Sequence, residues 1–173
     1  MATQKKSSGR TMANLPVKAL GLGETNYPKN YSPEILEAFP NLNPDVDAWA
    51  SFICTEFSSL CPKTGQPDFA KIFINYIADK KMIESKSLKL YLFSFRNHGD
   101  FHEDCVTKIA KDLTALISPK YLEVVGEFTP RGGIAIFPYV NYACSDKKYQ
   151  DIKTKRQTDY APGKYSLPLS KIY

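Results

Sequence analysis

The run from Asp100 to Pro119 sets the strongest limit on the fold. Val106, Ile109, Leu113, Leu116 and Ile117 recur at three- and four-residue steps, which predicts a helix with one apolar stripe. Asp100 is the expected N-cap, with Glu103 completing a capping box, and Pro119 follows the helix end. The stripe must be buried, and much of the surrounding sequence reads as strand. Trp49–Phe57 and Phe69–Ile77 are rich in aromatic and β-branched residues. Leu122–Phe128 is a third strand, Thr129–Gly133 a turn, and Ile134–Val140 the partner strand. Glu84–Asn97 holds neither Gly nor Pro and places Leu88, Tyr91, Leu92 and Phe95 at helical spacing, so a second helix is expected there. The alternation at Leu88-Lys89-Leu90 keeps a strand open.

Two strands, two helices and two strands predict an α+β domain: an antiparallel four-stranded sheet with two helices on one face. Residues 1–48 form an expected N-terminal arm, mostly irregular, with a short helix starting at Ser32-Pro33. Residues 49–141 form the folded domain, and 142–173 a basic polar tail, extended or partly disordered. Gly21-Leu22-Gly23 lacks a third glycine and a preceding strand, so it is no dinucleotide fingerprint. Bare edge strands invite pairing with another copy, so an oligomer is expected.

The net charge of +5 sits in the ends: +3 in residues 1–10 and +4 in 146–173, leaving −2 in between. No basic face for nucleic acid is therefore expected on the body, and the tails read as solvated. No membrane span and no secretory leader are visible, so a cytoplasmic protein with its four cysteines as thiols is expected.

Chemistry-bearing residues fall in four places. Cys61 lies in a loop pinned by Pro62, Gly65 and Pro67, seven residues before Asp68; it suits a nucleophile, or is simply a small apolar loop residue. His102-Glu103 opens the firm helix. Glu103 either caps it or accepts two hydrogen bonds from a heterocycle's ring N–H and exocyclic amine. Arg131-Gly132-Gly133 is a plain turn or an anion cradle. Glu84-Ser85-Lys86-Ser87-Leu88-Lys89-Leu90-Tyr91 mixes charge with apolar surface. The cysteines have no paired spacing for zinc, and His98 and His102 are not in an HExxH frame, so no metal is expected.

Glu84 to Tyr91 matches at every position the signature of the QueF family, the 7-cyano-7-deazaguanine reductases of the queuosine pathway. The Cys61 loop with Asp68, His102-Glu103 and Arg131-Gly132 match as well, and the resemblance runs from about Trp49 to Asn141. It implies a tunnelling (T-) fold shared with GTP cyclohydrolase I, assembled as pentameric rings, two of them making a decamer. It also implies reduction of a nitrile to an aminomethyl group with two NADPH and no metal. Cys61 would form a covalent thioimide and Asp68 would donate the proton. Ile83, Glu84, Ser85, His102 and Glu103 would hold the base; Ser85, Lys86, Arg131 and Gly132 would hold NADPH. Cys105 would lie within reach of Cys61, close enough for a protective disulfide. The other readings kept open are a cyclohydrolase-like hydrolase and a non-catalytic purine- or pterin-binding protein.

Overall fold

Val106, Ile109, Leu113 and Ile117 are each at most 1% exposed, and their burial fixes the layer arrangement. The computed structural model describes residues 25–165; the expectations for Gly21-Leu22-Gly23 and both chain ends lie outside them. In chain order the elements are β1 (Ala38–Pro40), β2 (Trp49–Leu60), β3 (Pro67–Ile77) and β4 (Lys81–Ile83). Helix α1 (Ser85–Phe93) follows, running into a 3-10 turn at Ser94–Asn97, and then α2 (His102–Ile117), β5 (Tyr121–Phe128), β6 (Tyr139–Ala143) and α3 (Lys147–Thr158). A four-stranded antiparallel sheet has the order β2-β3-β5-β6, and β1 pairs with β4 in a separate ribbon.

Side chains of a strand alternate between faces, and the sheet uses both. Ile72, Ile74, Tyr76, Leu122, Val124 and Phe128 point to α1 and α2 and form the main core with Leu88, Leu92, Phe95 and the α2 stripe. Sheet and helix lie close at Gly126, where a Cβ would meet Val106 Cγ2 at 2.8 Å. The opposite face carries Ile77, Tyr121 and Ala143, packed against Tyr149 of α3. Between Cys54 and Phe57 the register slips: three steps on β2 match two on β3, from Ile72 to Ala70. This extra residue is a β-bulge.

The structure corrects three expectations. Among the described residues the stretch from Tyr142 to Tyr165 is not an extended tail: β6 continues to Ala143, and α3 occupies 147–158 on the far face of the sheet. Only Tyr149 of α3 is buried, so the helix carries no apolar stripe for a periodicity reading to find. The partner strand starts at Tyr139 rather than Ile134, because Pro138 has no N–H to donate; Arg131 and Ile134 form an isolated bridge. Helix α2 starts after Phe101, and Asp100 is not its cap. The Asp100 carboxylate is taken instead by Lys108 and by His98 Nε2 at 3.2 Å. Glu84 in turn is the cap of α1, accepting from Lys86 N–H at 2.9 Å and Ser87 N–H at 2.6 Å.

Helix α3 is held by polar contacts. Glu123, 0% exposed, accepts from Arg156 Nε at 3.0 Å, Tyr121 hydroxyl at 2.7 Å, Tyr139 hydroxyl at 3.0 Å and Asn75 Nδ2 at 2.9 Å. Burial pushes its carboxyl up, but Arg156, Tyr121 and Asn75 together outweigh burial and hold it below the usual range. Arg156→Ala should destabilise the protein by about 3 kcal/mol, the low end for breaking a buried pair because Arg156 is partly exposed. A depressed carboxyl stabilises above its unfolded pKa of about 4.3, and that part is lost as pH falls below it. Urea unfolding at neutral and acid pH should therefore show the variant's deficit shrinking in acid.

Candidate active site

Cys61 follows the last residue of β2, where local bonding leaves it little freedom. Its N–H donates to Gln66 carbonyl at 2.8 Å, and its carbonyl accepts from Gly65 N–H at 2.9 Å. Gly65 takes φ 67°, which a turn this tight requires. Leu60 N–H donates to His98 carbonyl at 2.9 Å, and Leu60 carbonyl accepts from Asp100 N–H at 3.0 Å. These two bonds bring the start of α2 beside the cysteine loop.

The Cys61 thiol is half-buried, and its pKa is lowered to about 7. The largest cause is the Thr64 hydroxyl, followed by backbone N–H groups of Lys63 and Thr64; Arg131 adds less. Thr64 Oγ1 also accepts from Gln66 N–H at 3.3 Å, leaving its own hydrogen for the sulfur. The sequence alone does not single out Thr64. The signal was the Pro-Lys-Thr-Gly turn itself, which folds the fourth residue of the loop back over the first. Cys105 behaves oppositely: it is 0% exposed, and burial pushes its thiol up to about 12. It stays protonated and is a slow partner for disulfide exchange in this geometry.

Asp68 is the second residue of β3, opposite Ser59 in register and 3% exposed. Arg131 Nε lies 2.8 Å from Oδ1, and its terminal nitrogen donates to Oδ2 at 3.4 Å. His102 Nε2 is 3.2 Å from Oδ2, close enough for an ion pair but out of line for a hydrogen bond; neither ring nitrogen of this buried histidine has a hydrogen-bond partner. The ring stacks on Phe128 at 4.0 Å between centroids. Glu103, one residue on, is exposed. A lowered thiol, a buried carboxylate and two basic side chains thus converge at one end of the sheet. The arrangement can deliver a thiolate to an electrophilic carbon and a proton to the atom beside it.

Ile83, Glu84, Ser85 and Lys86 are elsewhere. Ile83 is 3% exposed and its N–H is bonded to Tyr76 hydroxyl at 3.3 Å. Glu84 is 2% exposed and spends both carboxylate oxygens on the α1 cap. Ser85 lines a cleft of about 420 Å³ between α1 and β2, with Phe52, Cys54, Glu56, Leu88 and Lys89 among its walls. That cleft meets β2 five to nine residues before Cys61, roughly 15–30 Å at strand rise. One chain therefore brings Cys61, Asp68, His102 and Arg131 together, with Glu103 beside them, and leaves Ser85 and its neighbours apart.

At Gly132 (φ 58°) and Gly133 (φ 82°) no atom lies within 4 Å of where a Cβ would stand. The turn presents open backbone beside a guanidinium, which fits a phosphate-bearing group.

Thr64→Val should return the Cys61 thiol toward its ordinary value of about 8.5. At pH 7 the thiolate fraction would then fall from about half to a few per cent. Alkylation of Cys61 by iodoacetamide should slow accordingly at pH 7 and recover above about pH 9.

Residues 67–147 match the family model described as QueF-like protein. The NADPH-dependent 7-cyano-7-deazaguanine reductase of Bdellovibrio bacteriovorus is 69% identical over 98% of this chain and 99% of its own length. The enzyme of that name from Bacillus licheniformis is 60% identical over 83% of this chain and 87% of its own. Among solved structures, an archaeosine synthase QueF-Like aligns with a TM-score of 0.53 at 16% identity, covering 58% of this chain and 99% of that one. That likeness concerns the fold alone and agrees with the tunnelling fold the sequence led us to expect. With the site geometry and these identities together, the chain belongs to the QueF family, the NADPH-dependent 7-cyano-7-deazaguanine reductases.

Proposed function

We propose that this chain reduces the nitrile of 7-cyano-7-deazaguanine to an aminomethyl group with two NADPH, through a thioimide on Cys61. The observation that carries the reading is Arg131, which touches both the Cys61 thiol, lowered to about 7, and the buried Asp68 carboxyl. A nitrile accepts hydride poorly. Addition of the Cys61 thiolate to its carbon, with a proton from Asp68 to its nitrogen, makes an imine-like centre that accepts hydride readily. NADPH supplies the hydrides. Arg131 and the Gly132 backbone, with Lys86 and Ser85, are the residues that would hold its phosphates. The other readings, hydrolase and silent binder, lose ground to relatives at 60–69% identity that carry the reductase name.

Glu103 and His102 would take the guanine-like edge of the base beside Cys61. Ile83 and Ser85 would complete the pocket from a second copy, since one chain holds them at the far end of β2. Glu84 would then act through α1, fixing Ser85 and Lys86 by its cap. β2 is a 12-residue edge strand, and Trp49 at its start is 49% exposed, which supports strand pairing between copies. We infer rings of five built this way, stacked in pairs as a decamer, closing the site against water that would hydrolyse the thioimide.

Mixed with 7-cyano-7-deazaguanine alone, the protein should gain the substrate's mass, and Cys61→Ala should not. Two NADPH should be consumed per amine formed. Asp68→Asn should cut the rate of adduct formation by about 100-fold or more, the usual worth of a positioned acid, while still binding the base. An unmodified wild-type chain under these conditions would remove the reading.

A further inference from the structure

Asp68 as acid and the Arg131-Gly132-Gly133 turn as cofactor cradle have separate tasks, yet one guanidinium serves both. Arg131 Nε sits 2.8 Å from Asp68 Oδ1, and its terminal nitrogens reach Asp68 Oδ2 at 3.4 Å and Gln66 Oε1 at 3.2 Å. A guanidinium has donors only, so each contact takes a lone pair on Asp68 that the proton to be delivered could otherwise use. Asp68 is 3% exposed, so solvent does not screen the contact. The Arg131 side chain is 36% exposed, so the guanidinium sits at the mouth of the site rather than inside it. It rides on a turn whose next two residues are glycines with open space around them. Two further titratable groups among the described residues stand in this cluster: His102 Nε2 from α2, at 3.2 Å from Oδ2, and the Cys61 thiol from the loop after β2, which Arg131 also touches.

We propose that Arg131 is shared between Asp68 and the cofactor's phosphate, so that capture of the phosphate loosens its hold on Asp68 and lets that carboxyl carry the proton. Arg131 is then a positioning residue that ties proton delivery to cofactor arrival. The inference rests on the reductase reading. In the step concerned, the Cys61 S–C bond forms and one π pair of the nitrile moves to nitrogen. Nitrogen takes the Asp68 proton, and the carboxylate left behind is reprotonated from water. His102 Nε2 lies beside Asp68 at 3.2 Å and belongs to α2, not to the turn that carries Arg131.

The test is the rate of adduct formation with 7-cyano-7-deazaguanine in the presence and absence of NADP+, which brings the phosphates but no hydride. The measurement is made at about pH 9, where a Cys61 thiol near 7 is thiolate throughout. NADP+ should accelerate the wild-type adduct by about tenfold, part of the 100-fold or more that a positioned acid supplies. Arg131→Gln should form the adduct at the accelerated rate without NADP+ and ignore its addition, while its KM for NADPH rises. Arg131→Lys, which keeps a cation but loses the fork, should respond partially, and it decides the matter if the Gln variant does not fold. A wild-type rate indifferent to NADP+, or an equal acceleration in Arg131→Gln, overturns the sharing and leaves the reductase reading standing. No adduct in any sample overturns both.

Discussion

A carboxylate placed at the second residue of a central strand, under a helix, cannot stand alone, since an unpaired buried charge costs several kcal/mol. Asp68 is in that position, and much of the site is arranged around its compensation. Arg131 arrives from the turn after β5 and His102 from the first turn of α2. Each basic group is brought by a segment distant in sequence, so sheet register and the docking of α2 must both be correct before the charge is satisfied. Folding and the assembly of catalytic groups are in this sense the same event. The bonds from Leu60 to His98 and Asp100 extend the arrangement to the thiol, because they tie the end of β2 to the entry of α2.

The two faces of the sheet solve different problems. The face under α1 and α2 is apolar except near its Asp68 end, where the chemistry is gathered. The other face holds Glu123 in a net of Arg156, Asn75 and three hydroxyl or amide neighbours, and by that net it secures a helix with scarcely any apolar surface. Lys148 and Tyr149 of the same helix reach Asp47, and Lys120 joins them, so the segment before β2 is fastened to the helix after β6. Polar satisfaction thus does for α3 what area burial does for α2.

Strands β2, β3 and β5 were legible by their aromatic and β-branched residues, and α2 by its period, which Val106, Ile109 and Leu113 show without help from the rest of the chain. α3 was not, since Arg156 matters only once Glu123, 33 residues away, lies beneath it. Asp100 misled as a cap because its partners Lys108 and His98 are a tertiary matter. Within the site, Cys61, Asp68, His102 and Arg131 could be named from motif resemblance, and their convergence could not be read from spacing. The pairing of Arg131 with Asp68 spans 63 positions. Thr64 escaped because a hydroxyl in a turn has many local uses, and only the folded loop selects the sulfur. Glu84 opens the most specific motif, and in the fold its carboxylate accepts from the first turn of its own helix.

The slip between Cys54 and Phe57 carries a consequence for the whole arrangement. Before it, the side chains of β2 that meet the helices are Ala50, Phe52 and Cys54; after it they are Phe57 and Ser59. Even numbers hand over to odd, and Cys61, the next odd position, follows Ser59, which stands opposite Asp68. Without the extra residue the strand would keep its parity and deliver the sulfur to the far side, with a full sheet between nucleophile and acid. The bulge is therefore a parity bit written into the backbone. What must be kept is the one-residue slip itself, three steps on β2 against two on β3.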